Sequence, residues 1–428
     1  MEYKQVVTSF LRRGQLILLM RRSSEVGTYQ GKWGAVSGFL EENETPYERA
    51  KLEIIEETDL SPNDLSLIRS GELVRVFDEE KNVVWIVHPF LFATEKSTMH
   101  INWENSRYKW VNPEDLTSYE TVPSLGRTFD RVRWDLSNPP TSLSKAFAIV
   151  DEIARDKING ASYLGRRAIE AIQAAANLST ARTNSELFRD ILMIALRMQI
   201  VQTSMASVRN VTGRLLHGID TARQTARSPA AYRKLIDQLT RQTLESCLRS
   251  ADEVSTNLSK KIIQRNRILT HSYSNTVKRA IQLCTNKALH IYVTESGPTF
   301  EGNTLASDLT DLGFTATVLS DQAIGTFPRR FDAVILGADS ILSDGSVINK
   351  VGTNEIAQTA QQHSIPVYVA AEESKLDTMD FLGSPPRLNE LFDLTPAKFI
   401  TSIITEQGEM KPYDARDKIK RLVRELYT

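Results

Sequence analysis

Cysteine is nearly missing from this 428-residue chain, Cys247 and Cys284 being the whole supply. Two thiols are too few for a disulfide framework and do not match a zinc-ligand spacing, so neither a stapled secreted scaffold nor a structural zinc is expected. No apolar run approaches the roughly 20 residues that cross a bilayer, and the opening Met1-Glu2-Tyr3-Lys4-Gln5 has no signal-peptide character. Net charge is small, at −1, and there is no internal repeat or low-complexity tract. What these absences leave is an ordinary soluble protein, expected in the cytoplasm with no membrane partner.

The length exceeds what one compact core usually holds, which predicts two or three domains. Charge is unevenly spread: residues 141–270 carry 20 Lys and Arg against 11 Asp and Glu, while 1–140 has 17 against 22 and 271–428 has 15 against 20. A positive middle between negative ends suits phosphorylated ligands, RNA or the chain's own acidic parts. Periodicity divides the chain into an amino-terminal α/β domain at 1–125, a linker at 126–141 ending in the turn-rich Ser137-Asn138-Pro139-Pro140-Thr141, a helical zone at 142–265 and a doubly wound sheet at 266–428. Ala146, Ile149, Val150 and Ile153 recur at helical spacing, as do Leu187, Ile191, Leu192, Ile194 and Ala195. Strands are predicted at Ile268-Leu269, Leu289 to Val293, Ala316 to Leu319, Ala333 to Leu336 and Val367 to Ala370.

The amino-terminal part concentrates acids. Gly38 begins a stretch that reaches Glu44, and Leu52-Glu53-Ile54-Ile55-Glu56-Glu57 follows seven residues later. Thr45 with Glu48 makes a capping box and Pro46 falls at the first helical position, so a helix is predicted here. Ala50, Ile54 and Ile55 are expected to face inward, with the acids lining the other side. Spacings of three and four place Glu53, Glu56 and Glu57 together, a crowding of like charge that a divalent, oxygen-preferring Mg²⁺ or Mn²⁺ would relieve.

This segment resembles the Nudix box, G-x5-E-x7-R-E-U-x-E-E-x-G-U with U aliphatic: Gly38, Glu44, Glu53, Ile54, Glu56, Glu57 and Leu60 fit. The resemblance extends over about residues 1–125 through strands at Val6-Val7 with Phe10, Leu16 to Met20, Val83 to Val87 and Phe90 to Phe92, and implies an α/β/α sandwich. It implies that Glu53, Glu56 and Glu57, with Glu44, hold the metal, and that the glutamates help deprotonate the water attacking a diphosphate linkage. Leu52 replaces the family arginine and Asp59 its second glycine. Arg49, one turn earlier, is the candidate replacement cation, and Asp tolerates the left-handed conformation expected at a helix end. Trp33, Trp85 and Trp110 read as core residues or substrate-stacking platforms.

In an open parallel sheet, ligands lie beyond the carboxyl ends of the strands. Polar loops fall there: Thr270-His271-Ser272-Tyr273-Ser274, Thr294-Glu295-Ser296-Gly297-Pro298, Gly337-Ala338-Asp339, and Asp344 to Thr353 with Asn349 and Lys350. Such a set suits a sugar phosphate. These motifs, with Val369 to Ala371, Lys375 and Asn159-Gly160-Ala161-Ser162-Tyr163-Leu164-Gly165-Arg166, resemble the family that joins the alpha, beta and delta subunits of eukaryotic initiation factor 2B to ribose-1,5-bisphosphate and methylthioribose-1-phosphate isomerases. The resemblance spans about residues 142–428 and implies a Rossmann-like sheet with a helical subdomain. Gly160, Ala161, Arg166, His271, Ser272, Ser274, Glu295, Asp339, Asn349 and Lys350 are the implied ligand contacts, and pairing through this half is implied as well.

The family's isomerases use a cysteine in the T-H-x-x-S segment with the G-A-D aspartate as an acid/base pair. Here Ser272 stands at the cysteine position and Asn159 at that of an arginine. A hydroxyl ionises far less readily than a thiol, whose ordinary pKa is about 8.5. The expectation is therefore a metal-dependent hydrolase of a nucleoside-diphosphate derivative, Asp339 being its counterpart catalytic candidate in the second half, fused to a regulatory domain that binds a sugar phosphate or nucleotide. A ribose-1,5-bisphosphate isomerase and a non-enzymatic scaffold with a translation-factor partner are the alternatives.

Overall fold

A computed structural model describes residues 2–41, 44–133, 140–202, 204–326, 331–382 and 388–427. The chain forms two compact units, Met1–Asn138 with Val423–Thr428, and Pro139–Leu422. Among the described residues no helix is long and apolar enough to cross a membrane.

The first unit runs β1 (Glu2–Arg13), β2 (Leu16–Arg22), β3 (Trp33–Gly34), β4 (Val36–Phe39), α1 (Pro46–Thr58), β5 (Ser66–Ser70), β6 (Val74–Asp78), β7 (Val83–Ala93), β8 (Asn105–Val111) and α2 (Leu125–Asp130). Its strands form one eight-stranded mixed sheet. β1 and β7 pair in parallel along their whole length, Glu2 opposite Val83 and Arg12 opposite Ala93. The two apolar runs predicted as separate strands thus join in β7. Alternate residues face opposite sides of a strand: Val7 and Leu11 pack with Ala50 and Ile54 of α1, while Phe10 packs with Leu91 and Phe129. α2 lies in the stretch expected as linker, and its Phe129 meets Phe10 edge to face at 5.0 Å. Residues 134–139, which include most of the expected turn-rich break, lie outside the described residues.

The second unit begins with five helices: α3 (Ser144–Arg155), α4 (Ala161–Leu178), α5 (Asn184–Val201), α6 (Ala206–Thr225) and α7 (Pro229–Ile262). Ala146, Val150, Ile153, Leu187, Ile191 and Leu192 are buried in their shared core, while Ile149 is partly buried against it. α7, roughly 50 Å long at 1.5 Å per residue, places Tyr232 and Ile236 in that core and Val254, Leu258 and Ile262 in the next one.

The following elements are β9 (Arg267–Thr270), α8 (Asn275–Gln282), β10 (His290–Thr294), α9 (Glu301–Asp311), β11 (Thr315–Leu319), β12 (Ala333–Leu336), β13 (Ser340–Ile341), β14 (Val347–Lys350), α10 (Thr353–Gln362), β15 (Val367–Ala370), α11 (Thr378–Phe381), β16 (Phe392–Thr395), β17 (Ser402–Thr405), β18 (Gly408–Met410) and α12 (Ala415–Tyr427). Seven strands lie in the order β11-β10-β9-β12-β15-β17-β18, parallel except for the last pair. A separate antiparallel sheet, β13-β14-β16, carries the Asn349-Lys350 segment. Strand order reverses between β9 and β12, the place where open α/β sheets hold ligands.

Candidate functional site

In the first unit the site is built on α1. The Thr45 hydroxyl accepts the Glu48 N–H at 3.3 Å and the Glu48 carboxylate accepts the Thr45 N–H at 3.3 Å, so the capping box closes as the sequence predicts. Pro46 opens the helix, and Asp59 closes it in the left-handed region at φ 57°. The expectation that the acids line the outer side is corrected: Glu53 and Glu57 are buried beside Ala50 and Ile54, Ile55 is half-buried, and among these acids Glu56 faces solvent. Gly38 makes room for this, since a Cβ there would lie 1.5 Å from Glu53 Oε1. Glu57 accepts the Ser37 N–H at 3.0 Å on one oxygen and the Asn105 amide at 2.7 Å on the other.

Arg49 takes up the charge of three acids. Its guanidinium pairs with Glu53, Glu44 at 3.8 Å and Glu56 at 3.9 Å, while Leu52 at the family arginine position is exposed. Burial pushes Glu53 up from the ordinary carboxylate range against the pull of Arg49. Burial also pushes Glu57 up to about 8, against its two hydrogen bonds, and the nearby Glu104 raises both groups further.

The expected sharing of one metal by Glu53, Glu56 and Glu57 is not how their side chains lie. Among the described residues no group of three or more acidic, His or Cys side chains converges as a metal cage. Each helical residue turns about 100° from the last, so Glu56 and Glu57 diverge, and Arg49 stands in the positive place among the others. The donor chemistry still fits a hard divalent cation: the acids are all oxygen donors, Glu44, Glu53 and Glu56 already gather around one positive group, and Glu53 and Glu57 are buried with raised pKa values.

In the second unit the switch-point pocket is lined by Gly160 and Ala161 from the start of α4, by His271, Ser272 and Ser274 after β9, and by Asp339, Asn349 and Lys350. Asp339 accepts the first amide of α4, from Ala161, at 3.1 Å. Burial raises its pKa, opposed by the Lys375 ammonium and by that amide. His271 bridges the Thr294 hydroxyl at 2.6 Å and the Val351 carbonyl at 2.9 Å, and burial lowers it to about 4, leaving a neutral structural imidazole. Asn349 donates to Thr353 at 3.1 Å, and Ser274 caps α8 by accepting the Val277 N–H at 3.3 Å.

Ser272 is held in the left-handed region at φ 63°. Its hydroxyl donates to Glu301 Oε1 at 2.7 Å, and Lys350 Nζ stands 3.7 Å from the same oxygen. Glu301, the first residue of α9, was not singled out by sequence reasoning, although an acid opening a helix after a strand loop was the available signal. Two expected contacts are not brought into this pocket. Glu295 does not line it, and its backbone N–H donates to the Leu319 carbonyl at the end of β11 at 2.9 Å. Arg166, one turn into α4, lines a neighbouring cavity instead.

The description "Initiation factor 2 subunit family" matches residues 157–386, and "NUDIX domain" matches residues 2–132. The chain is 32% identical over 284 residues to a Pyrococcus abyssi protein named as subunit-2-like of translation initiation factor eIF-2B, covering 63% of this chain and 97% of that one. It is 26% identical over 302 residues to ribose 1,5-bisphosphate isomerase of Pyrococcus furiosus, covering 64% and 93%. A crystal structure of the Pyrococcus horikoshii eIF-2B protein superposes with a TM-score of 0.52 at 28% identity, over 63% of this chain and 97% of that one. Nudix hydrolases generally use divalent metals such as Mg²⁺ or Mn²⁺. The buried acids behind Gly38 and the switch-point pocket thus lie in two recognised domains: the chain belongs to the initiation factor 2 subunit family and carries a Nudix domain ahead of that part.

Proposed function

We propose that the first unit is a metal-dependent hydrolase of a nucleoside diphosphate linked to another group, and that the second binds a phosphorylated sugar or nucleotide in a regulatory role. The observation that carries the hydrolase reading is the burial of Glu53 and Glu57 on α1, with Gly38 lying against one and Ser37 and Asn105 holding the other. Buried carboxylates of this kind are costly unless a cation or a proton neutralises them. A bound Mg²⁺ or Mn²⁺ supplies Lewis acidity toward the diphosphate and lowers the pKa of water. Arg49 keeps Glu53 and Glu56 oriented, and Glu57 is placed to take up a proton. The decisive experiment is turnover by the full chain with Mg²⁺ on a panel that includes ADP-ribose; saturable binding without turnover would leave only a scaffold.

Binding rather than isomerisation is favoured in the second unit because the Ser272 hydroxyl and the Asp339 carboxylate are already engaged with Glu301 and Ala161. A coupled assay for ribulose bisphosphate tests the isomerase alternative. Homo-oligomerisation through this unit, a translation-factor partner and a cytoplasmic location complete the proposal, and they follow from the family alone.

A further inference from the structure

The switch-point pocket leaves a cavity of only about 40 Å³, whereas its neighbour measures about 280 Å³, close to the lower end of small-molecule sites. The larger cavity is walled by α4, α6 and α7 and presents two guanidiniums, Arg166 and Arg214, together with Gln242, Ser246 and Ser250. Two acids also face it, and both are occupied. Glu372 pairs with Lys375 at 3.0 Å and accepts from Ser162 at 2.9 Å, while Glu406 accepts the Glu373 N–H at 2.9 Å. With the Glu372–Lys375 pair neutral, the wall carries two cations against Glu406, and its other polar groups include the Gln242 amide and the Ser246 and Ser250 hydroxyls.

We infer that this second cavity is an anion site for a small phosphate-bearing ligand, held by Arg166 and Arg214 and distinct from the pocket at the switch point. Guanidinium forks match phosphate oxygens two at a time, which a lone ammonium does not. Ser162 lines both cavities, and Glu372 of the larger one also accepts from Thr276 at 3.2 Å, a residue of the smaller pocket. An anion drawn to Arg166 therefore acts on a carboxylate whose other contacts belong to the switch-point pocket, so occupancy of one cavity influences the other. The inference does not depend on hydrolysis by the first unit.

Cys247 lines the same cavity and Cys284 is buried in the sheet core, so thiol labelling of the full chain reports on this site. Maleimide labelling is followed with inorganic phosphate and with ribose 5-phosphate as probes, sulfate-free, at constant ionic strength. At least one probe should slow Cys247 labelling fivefold or more, and Arg166→Gln should raise the half-protecting concentration at least tenfold, with Arg166→Lys intermediate. The inference is overturned if neither probe protects Cys247 in the native chain. It is equally overturned if Lys350→Gln abolishes protection while a folded Arg166→Gln, checked by circular dichroism, retains it. Should Arg166→Gln not fold, protection in the native chain and the Arg166→Lys shift decide the matter.

Discussion

At the level of single residues, the contacts of Gly38 and Arg49 define what the acidic helix can do. Gly38→Ala places a methyl group on the Glu53 carboxylate, and overpacking of this kind costs about 1–3 kcal/mol. The expected outcome is a lower melting temperature together with loss of most Mg²⁺-dependent hydrolysis. Arg49→Ala leaves buried Glu53 without its partner, at a cost of about 2 kcal/mol, and should reduce hydrolysis at least tenfold, with Arg49→Lys recovering part of it in steady-state assays. The spacing of Gly38, Glu44, Glu53, Glu56 and Glu57 was legible because it is local. Ser37, Asn105 and Glu104 were not, because they approach Glu57 only after β4 and β8 have joined the sheet, and no spacing in the chain encodes that approach.

Glu57 also sets a pH dependence. Its folded pKa of about 8 lies above the ordinary 4.5, so the folded chain keeps a proton that the unfolded chain releases. Stability without metal should therefore fall as pH rises from about 4.5 toward 8. Urea unfolding in EDTA across that range should show the decline in the native chain and a flatter profile in Glu57→Gln. Metal binding must displace the same proton, so Mg²⁺ affinity should strengthen up to about pH 8.

Elements differ in how clearly the sequence announces them. The helical zone was readable from Ala146, Val150 and Ile153 and from Leu187, Ile191 and Leu192, since a repeating buried face belongs to the helix itself. β9, β10, β11, β12 and β15 were readable as short apolar runs. β13, β14, β16 and β18 were not, because each mixes polar with apolar residues over two to four positions, and Asn349 and Lys350 read as loop although they lie on a strand. The loop after β9 supports an acid-side prediction. His271 is depressed to about 4 from 6.5 by burial, so the unfolded chain binds more protons between those values. The stability associated with His271 is present above pH 6.5 and is lost as pH falls toward 4, by as much as about 3 kcal/mol. His271→Asn should flatten the acid limb of a denaturation series.

For the molecule as a whole, each unit buries its own apolar clusters. A ligand that binds only one folded unit stabilises that unit by mass action. Scanning calorimetry of the full chain should show Mg²⁺ raising one transition and a phosphate ester raising another; a single transition moved equally by both would contradict independent folding units.

The tether of Glu301 has a consequence for any phosphate entering beside Ser272 and Lys350. A carboxylate fixed to α9 competes as an intramolecular rival at millimolar or higher effective concentration, so an incoming anion gains a place only by evicting it. Such a built-in competitor weakens apparent affinity without altering any residue that would touch the guest, and Glu301→Gln should sharpen it.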